Sequence, residues 1–185
     1  MAVAGGGRPV GDGVAGGVGR WPVGDGVAGA RMAWRWGLGA GARRQHPAMT
    51  LTLAEADKIL ADNFAPWVLE LGLSVVEAGE AHAVLRLPWD GRLAREGGGL
   101  SGQALMAAAD TATVVAVSSA RGAFVPMTTV QQSTSFMRAV TGADVLVDAR
   151  ITKLGKRMAF AEITMTAEGA AEPAARASTV YALLG

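Results

Sequence analysis

Glu96-Gly97-Gly98-Gly99-Leu100-Ser101-Gly102-Gln103 runs into Ala104-Leu105-Met106-Ala107-Ala108-Ala109-Asp110-Thr111-Ala112-Thr113-Val114-Val115-Ala116-Val117, and the run closes at Gly122. A glycine loop, a serine able to cap and then an alanine-rich stretch predict a helix from Ser101 to Ala120. This is the most apolar helical run in the chain, yet it holds one carboxylate, Asp110. Burying an unpartnered carboxylate is costly, so Asp110 asks for a chemical reason.

Upstream of that helix, Leu73–Ala78 and Ala81–Leu87 are strand-like runs at hairpin spacing around Gly79-Glu80. In the second run Ala81, Ala83, Leu85 and Leu87 share one face, which leaves His82 facing solvent. Earlier still, Thr52 and Glu55 form a capping-box pair for a helix through Ala56, Ile59 and Leu60. Pro66 interrupts that pattern, and Trp67–Leu71 make a short apolar turn ending at Gly72. Downstream the pattern is β-like to the end, in Met127–Met137, Ala143–Leu154, Met158–Ala167 and Ala174–Leu184, punctuated by Gly142, Gly155 and Gly169. Two strands, one long helix and four strands predict an α+β fold in which an antiparallel sheet wraps a single central helix. The run Thr128–Ser135 is polar on both faces, which suits either an interface strand beside a wet active-site slot or an edge strand with solvated hydroxyls.

The 185 residues, half of them apolar, are enough for one sizeable core and an appendage. Residues 1–49 hold fourteen glycines and repeat Pro-Val-Gly-Asp-Gly-Val-Ala-Gly at Pro9–Gly16 and Pro22–Gly29. Such a segment cannot offset its ordering entropy, so it is expected to be disordered, with residues 50–185 forming the folded domain. Two explanations stay open: a genuine flexible extension, in which Trp21, Trp34 and Trp36 could engage a partner, or translation that starts near Met49. Neither a secretory h-region nor a serine-rich transit pattern is present in it.

The net charge of +1 divides into a basic first 49 residues and a mildly acidic remainder. No basic footprint for nucleic acid follows, and no apolar run reaches membrane-spanning length. The chain has no cysteine, which excludes disulfides, thiolate metal sites and a cysteine nucleophile, and fits a cytoplasmic protein. His46 and His82 are poorly placed for catalysis, so no Ser-His-Asp arrangement is expected. The glycine loop lacks a Gly-Lys-Ser/Thr ending and follows no βαβ pattern, which excludes a nucleotide-phosphate loop.

Gly98-Gly99-Leu100-Ser101-Gly102-Gln103 through Asp110-Thr111-Ala112, followed by Val130-Gln131-Gln132-Ser133-Thr134-Ser135-Phe136-Met137-Arg138, resembles the PaaI-like hotdog-fold acyl-CoA thioesterases over residues 53 to 185. In that family a His-Gly-Gly motif opens the central helix and an acid follows nine positions after the histidine. Here Ser101 takes the histidine position, Gly102 and Gln103 those of the glycines, and Asp110 that of the acid. The resemblance implies hydrolysis of an acyl-CoA thioester without metal or cofactor, by a homodimer or homotetramer whose site two subunits share. Helix geometry supports the sharing independently. Gly102 and Asp110 are eight residues apart, roughly 12 Å along one helix, and cannot grip the same carbonyl.

The roles that follow are an oxyanion donor at the Gly102 amide and a nucleophile or general base at Asp110. The resemblance also places Thr129 where the family has a Ser or Thr that orients the acid or its water. Arg95 replaces the family's asparagine, and can bind a CoA phosphate or neutralise a carboxylate. Ser101 is a helix cap or a substrate contact. Gln103 donates to the acyl carbonyl or only fills the first turn. Lys156 and Arg157, with Lys153 around Gly155, can hold CoA phosphates or stay solvated. With Ser101 and Arg95 in place of the usual pair, a non-catalytic acyl-CoA-binding module is the alternative. An enoyl-thioester hydratase lacks its histidine.

Overall fold

The computed structural model describes residues 50–184, so the expectations for residues 1–49 lie outside the described residues. The chain enters through α1 (Leu53–Asp62), where Thr52 Oγ1 accepts from the Glu55 amide and Glu55 Oε2 accepts from the Thr52 amide at 2.8 Å. The capping box is present as read, and the helix buries Ala56, Ile59 and Leu60. Pro66 opens the single turn α2 (Pro66–Leu69), where its missing N–H costs nothing. Gly72, at φ +69°, turns the chain into β1.

Strands β1 (Ser74–Ala78) and β2 (His82–Leu87) form the expected hairpin. Ala83, Leu85 and Leu87 are completely buried against the core. His82 lies on the opposite face but is not free in solvent, because its Nε2 meets Glu77 Oε1 at 2.8 Å. After one 3-10 turn (Gly91–Leu93) comes α3 (Gly102–Arg121), capped by Ser101 and ended by Gly122 at φ 72°. The four remaining strands are β3 (Met127–Phe136), β4 (Val145–Leu154), β5 (Met158–Ala167) and β6 (Ala175–Leu183).

All six strands join one antiparallel sheet in the order β1-β2-β4-β5-β6-β3. The long helix packs across this sheet and touches all six strands. Alanine makes this close approach possible: Ala104, Ala108, Ala109, Ala112 and Ala116 are all buried on α3 and let the strands come near the helix backbone. Leu85, Val145, Val147, Ile163 and Met165 fill the space between, each burial contributing about 1.5–3 kcal/mol for side chains of this size. The polar pair on the inner side is satisfied, since Thr113 Oγ1 donates to the Ala109 carbonyl at 2.9 Å and lies 3.1 Å from Thr179 Oγ1.

Within this chain the polar run forms an edge strand of the sheet. β3 pairs only with β6 among the described strands, and its sequence therefore escapes the burial that gives its neighbours their alternation.

Candidate active site

The turn before α3 sets the direction of the helix. Gly97 and Gly98 adopt φ +84° and +77°, a conformation that favours glycine, and the Arg95 amide closes the turn on the Gly99 carbonyl at 2.8 Å. Leu100 donates to the Val140 carbonyl and Ser101 to the Leu93 carbonyl, so the helix start is tied on both sides. Ser101 Oγ accepts from the Ala104 amide at 3.3 Å, the N-cap geometry. Among the described residues no acceptor engages the Gly102 or Gln103 amide. These free donors sit at the positive end of the helix dipole and suit an oxygen carrying developing negative charge.

Gly102 has a further local reason. A Cβ there would lie 3.1 Å from Cζ of Phe136, so the ring of the edge strand presses against the helix start. The strand runs antiparallel along the helix from that point. Gln132 Nε2 donates to the Met106 carbonyl at 3.0 Å, and Thr129 Oγ1 donates to Asp110 Oδ1 at 2.8 Å. A β-bulge at Val130 interrupts the β3–β6 register between Thr129 and Gln131. The extra residue lets both Thr129 and Gln132 turn toward the helix.

Asp110 lines a cleft of about 220 Å³ together with Asn63, Phe64, Val114, Phe124 and Met127. Its second donor is a residue the sequence reading missed. Tyr181, on β6 directly opposite Thr129, donates to Asp110 Oδ1 and lies 3.0 Å from the Asp110 carbonyl oxygen. Burial, followed by the Asp110 charge, pushes the Tyr181 phenol well above its ordinary value of 10.0. Two signals pointed to it: it is the only tyrosine in the chain, and it occupies an inward position in an alternating strand.

The sequence-predicted residues fall into separate places. Arg95 lines a cleft of about 360 Å³ with Gly102, Phe136 and Arg138, and one of its guanidinium nitrogens donates to the Glu96 carbonyl. Ser101 and Gln103 face another cleft, about 440 Å³, beside Trp67, Arg92 and Leu93. Lys156 lines a fourth with Arg121, Val125 and Leu183, while Arg157 is exposed and its carbonyl accepts from the Leu183 amide. The chain unites Asp110 with Thr129 and Arg95 with Gly102, and keeps the two pairs apart. Among the described residues there is no cluster of three or more His, Cys, Asp or Glu side chains fit for a metal, and no helix long and apolar enough to cross a membrane.

A single long helix wrapped by an antiparallel sheet, opened by a glycine turn and carrying an acid two turns in, defines a hotdog-fold domain. The thioesterase superfamily model matches residues 97–174, from the glycine turn to the residue before β6. Among solved structures, a thioesterase candidate from Silicibacter sp. TM1040 is 28% identical, with TM-score 0.66 over 75% of this chain and 97% of that one. The E. coli PaaI protein of the phenylacetic acid degradation operon shares the fold at 17% identity, with TM-score 0.64 over 71% and 92% of the two chains. A hypothetical thioesterase of Streptococcus pneumoniae, solved with coenzyme A, does so at 14% identity, with TM-score 0.57 over 61% and 86%. No curated protein matches the sequence.

Proposed function

We propose that the protein hydrolyses small or medium acyl- or aryl-CoA thioesters to the free acid and CoA, at sites that two protomers build together. The observation that carries this reading is the held carboxylate of Asp110 in a cleft, on the same helix whose free N-terminal amides lie roughly 12 Å away. A second protomer docked on the open β3 edge by a two-fold axis would bring its Gly102 amide toward Asp110 of the first. The exposed side chains of Val130, Phe136 and Met137 on and beside that edge support such docking.

In this reading the thioester oxygen takes the Gly102 amide as its donor. Asp110 either takes a proton from the water that attacks the carbonyl carbon, which gives the free acid directly, or attacks that carbon itself to form a mixed anhydride that water then hydrolyses, restoring the carboxylate. The C–S bond then breaks, and CoA leaves as a thiolate that is protonated to the thiol. Thr129 orients the acid. Arg95, Gln103, Lys156 and Arg157 are the groups proposed to hold the CoA moiety and the acyl carbonyl, with Ser101 fixing the helix start between them. The coenzyme A bound by the Streptococcus pneumoniae relative supports this ligand class.

The test is a panel of acyl-CoAs assayed for free thiol with the full chain and with Asp110→Asn. Turnover that falls by about a thousandfold in the variant, with the same oligomer in solution, supports hydrolysis. Tight binding of acyl-CoA with no thiol release from the unaltered protein overturns it in favour of a binding module, which Arg95 and Ser101 in the family's asparagine and histidine positions would suit.

A further inference from the structure

Three oxygens meet at Asp110: its own Oδ1, the hydroxyl of Thr129 on the edge strand and the hydroxyl of Tyr181 on the neighbouring strand. Thr129 and Tyr181 are directly paired across β3 and β6, so one rigid register delivers both donors to one carboxylate oxygen. Among the described residues no donor engages Oδ2. The two carboxylate oxygens are therefore unequal. One is held by two hydroxyls and the other is left for the cleft.

We infer that Tyr181 is a positioning residue of the thioester-cleaving site, clamping Oδ1 of Asp110 together with Thr129 so that Oδ2 is the oxygen that attacks or accepts the proton. The inference rests on the hydrolytic reading above and adds a residue and an atom to it. Tyr181 suits the task physically. Its ring is 1% exposed in the core, packed in the cluster with Val114, Val117 and Leu183, so the hydroxyl cannot swing away. Burial and the adjacent carboxylate both disfavour the phenolate, which keeps the hydroxyl a donor wherever the enzyme works. A group pinned by packing and aimed by a hydrogen bond holds a catalytic atom within the tolerance that chemistry demands.

A merely structural tyrosine would satisfy the same contacts, so the test reads function and contact separately. Tyr181→Phe keeps the ring and removes the hydroxyl. The expected result is a kcat lowered about tenfold or more with KM changed less than about twofold, because the clamp acts on the reacting atom and not on substrate binding. An unchanged kcat overturns the inference while leaving hydrolysis standing.

The second measurement needs no turnover. Tyr181 is the only tyrosine, so the tyrosine Fermi doublet in the ultraviolet resonance Raman spectrum of the full chain at neutral pH reports this phenol alone. Asp110→Asn is expected to move the doublet's intensity ratio away from that of a strong donor, since the carboxylate acceptor becomes a weaker amide oxygen. An unmoved doublet overturns the inference even where Tyr181→Phe fails to fold. A moved doublet in a protein that cleaves no thioester supports the clamp and locates the failure in the hydrolytic reading.

Discussion

Strands β3 and β5 are each ten residues long and each pairs antiparallel with β6, yet they do opposite work. β5 alternates Ala159, Ala161, Ile163 and Met165 inward, all nearly or completely buried, and its register with β4 and β6 is anchored from both sides. β3 has one strand neighbour among the described residues, a bulge at Val130 and hydroxyl and amide side chains that reach the helix. The core strand makes the helix stay. The edge strand makes the helix useful, because Thr129, Gln132 and Phe136 touch it at Asp110, Met106 and Gly102 in turn.

The division is sharpest where a substitution would affect only one side of it. Ile163→Ala in β5 is expected to lower unfolding free energy by about 2–5 kcal/mol, measured by urea titration, because a fully buried branched side chain leaves a cavity. A loss well below that range would mean that β5 is not the stabilising strand.

On the edge strand the expected losses are of association and rate. Val130→Asp should weaken self-association by about a hundredfold, read by analytical ultracentrifugation, since a two-fold contact would bring the new charges together. A protein whose association is unmoved does not dimerise through β3. Thr129→Val should lower kcat about tenfold while the denaturation midpoint moves little, because the methyl groups keep the shape and only the hydroxyl on Asp110 is lost.

The smallest effect expected is at the far side of the sheet. The Trp89 amide, then the Arg86 guanidinium, hold the Asp144 carboxyl below its ordinary 3.8 against the opposing effect of burial. A carboxylate depressed in the folded state contributes stability that is present above 3.8 and is lost as pH falls through the lower folded value. Acid unfolding of Asp144→Asn should therefore show a shallower decline in that window than the unaltered protein. Activity near neutral pH should stay unchanged, as Asp144 lines none of the clefts described above.

Much of this arrangement was legible in the chain. The Thr52–Glu55 capping box, the Ser101 cap, the Gly122 stop and the alternation of β2 are local signals, written within a few residues and obeyed locally. Asp110 stood out for the same reason, as one charge in an alanine run. Tyr181 did not, because it lies seventy-one residues from Asp110 and only the β3–β6 register brings the two together. His82 gained its carboxylate neighbour from only five residues away, across the hairpin at Glu77.

Sequence alone determined the order of elements, the ends of the long helix and the acid it carries, because caps, glycines and hydrophobic period act over one or two turns of chain. Tertiary structure decided which strand became the edge, where the bulge turned Thr129 and which hydroxyls share Oδ1, because each of these depends on a pairing between segments far apart in sequence that no local energy specifies.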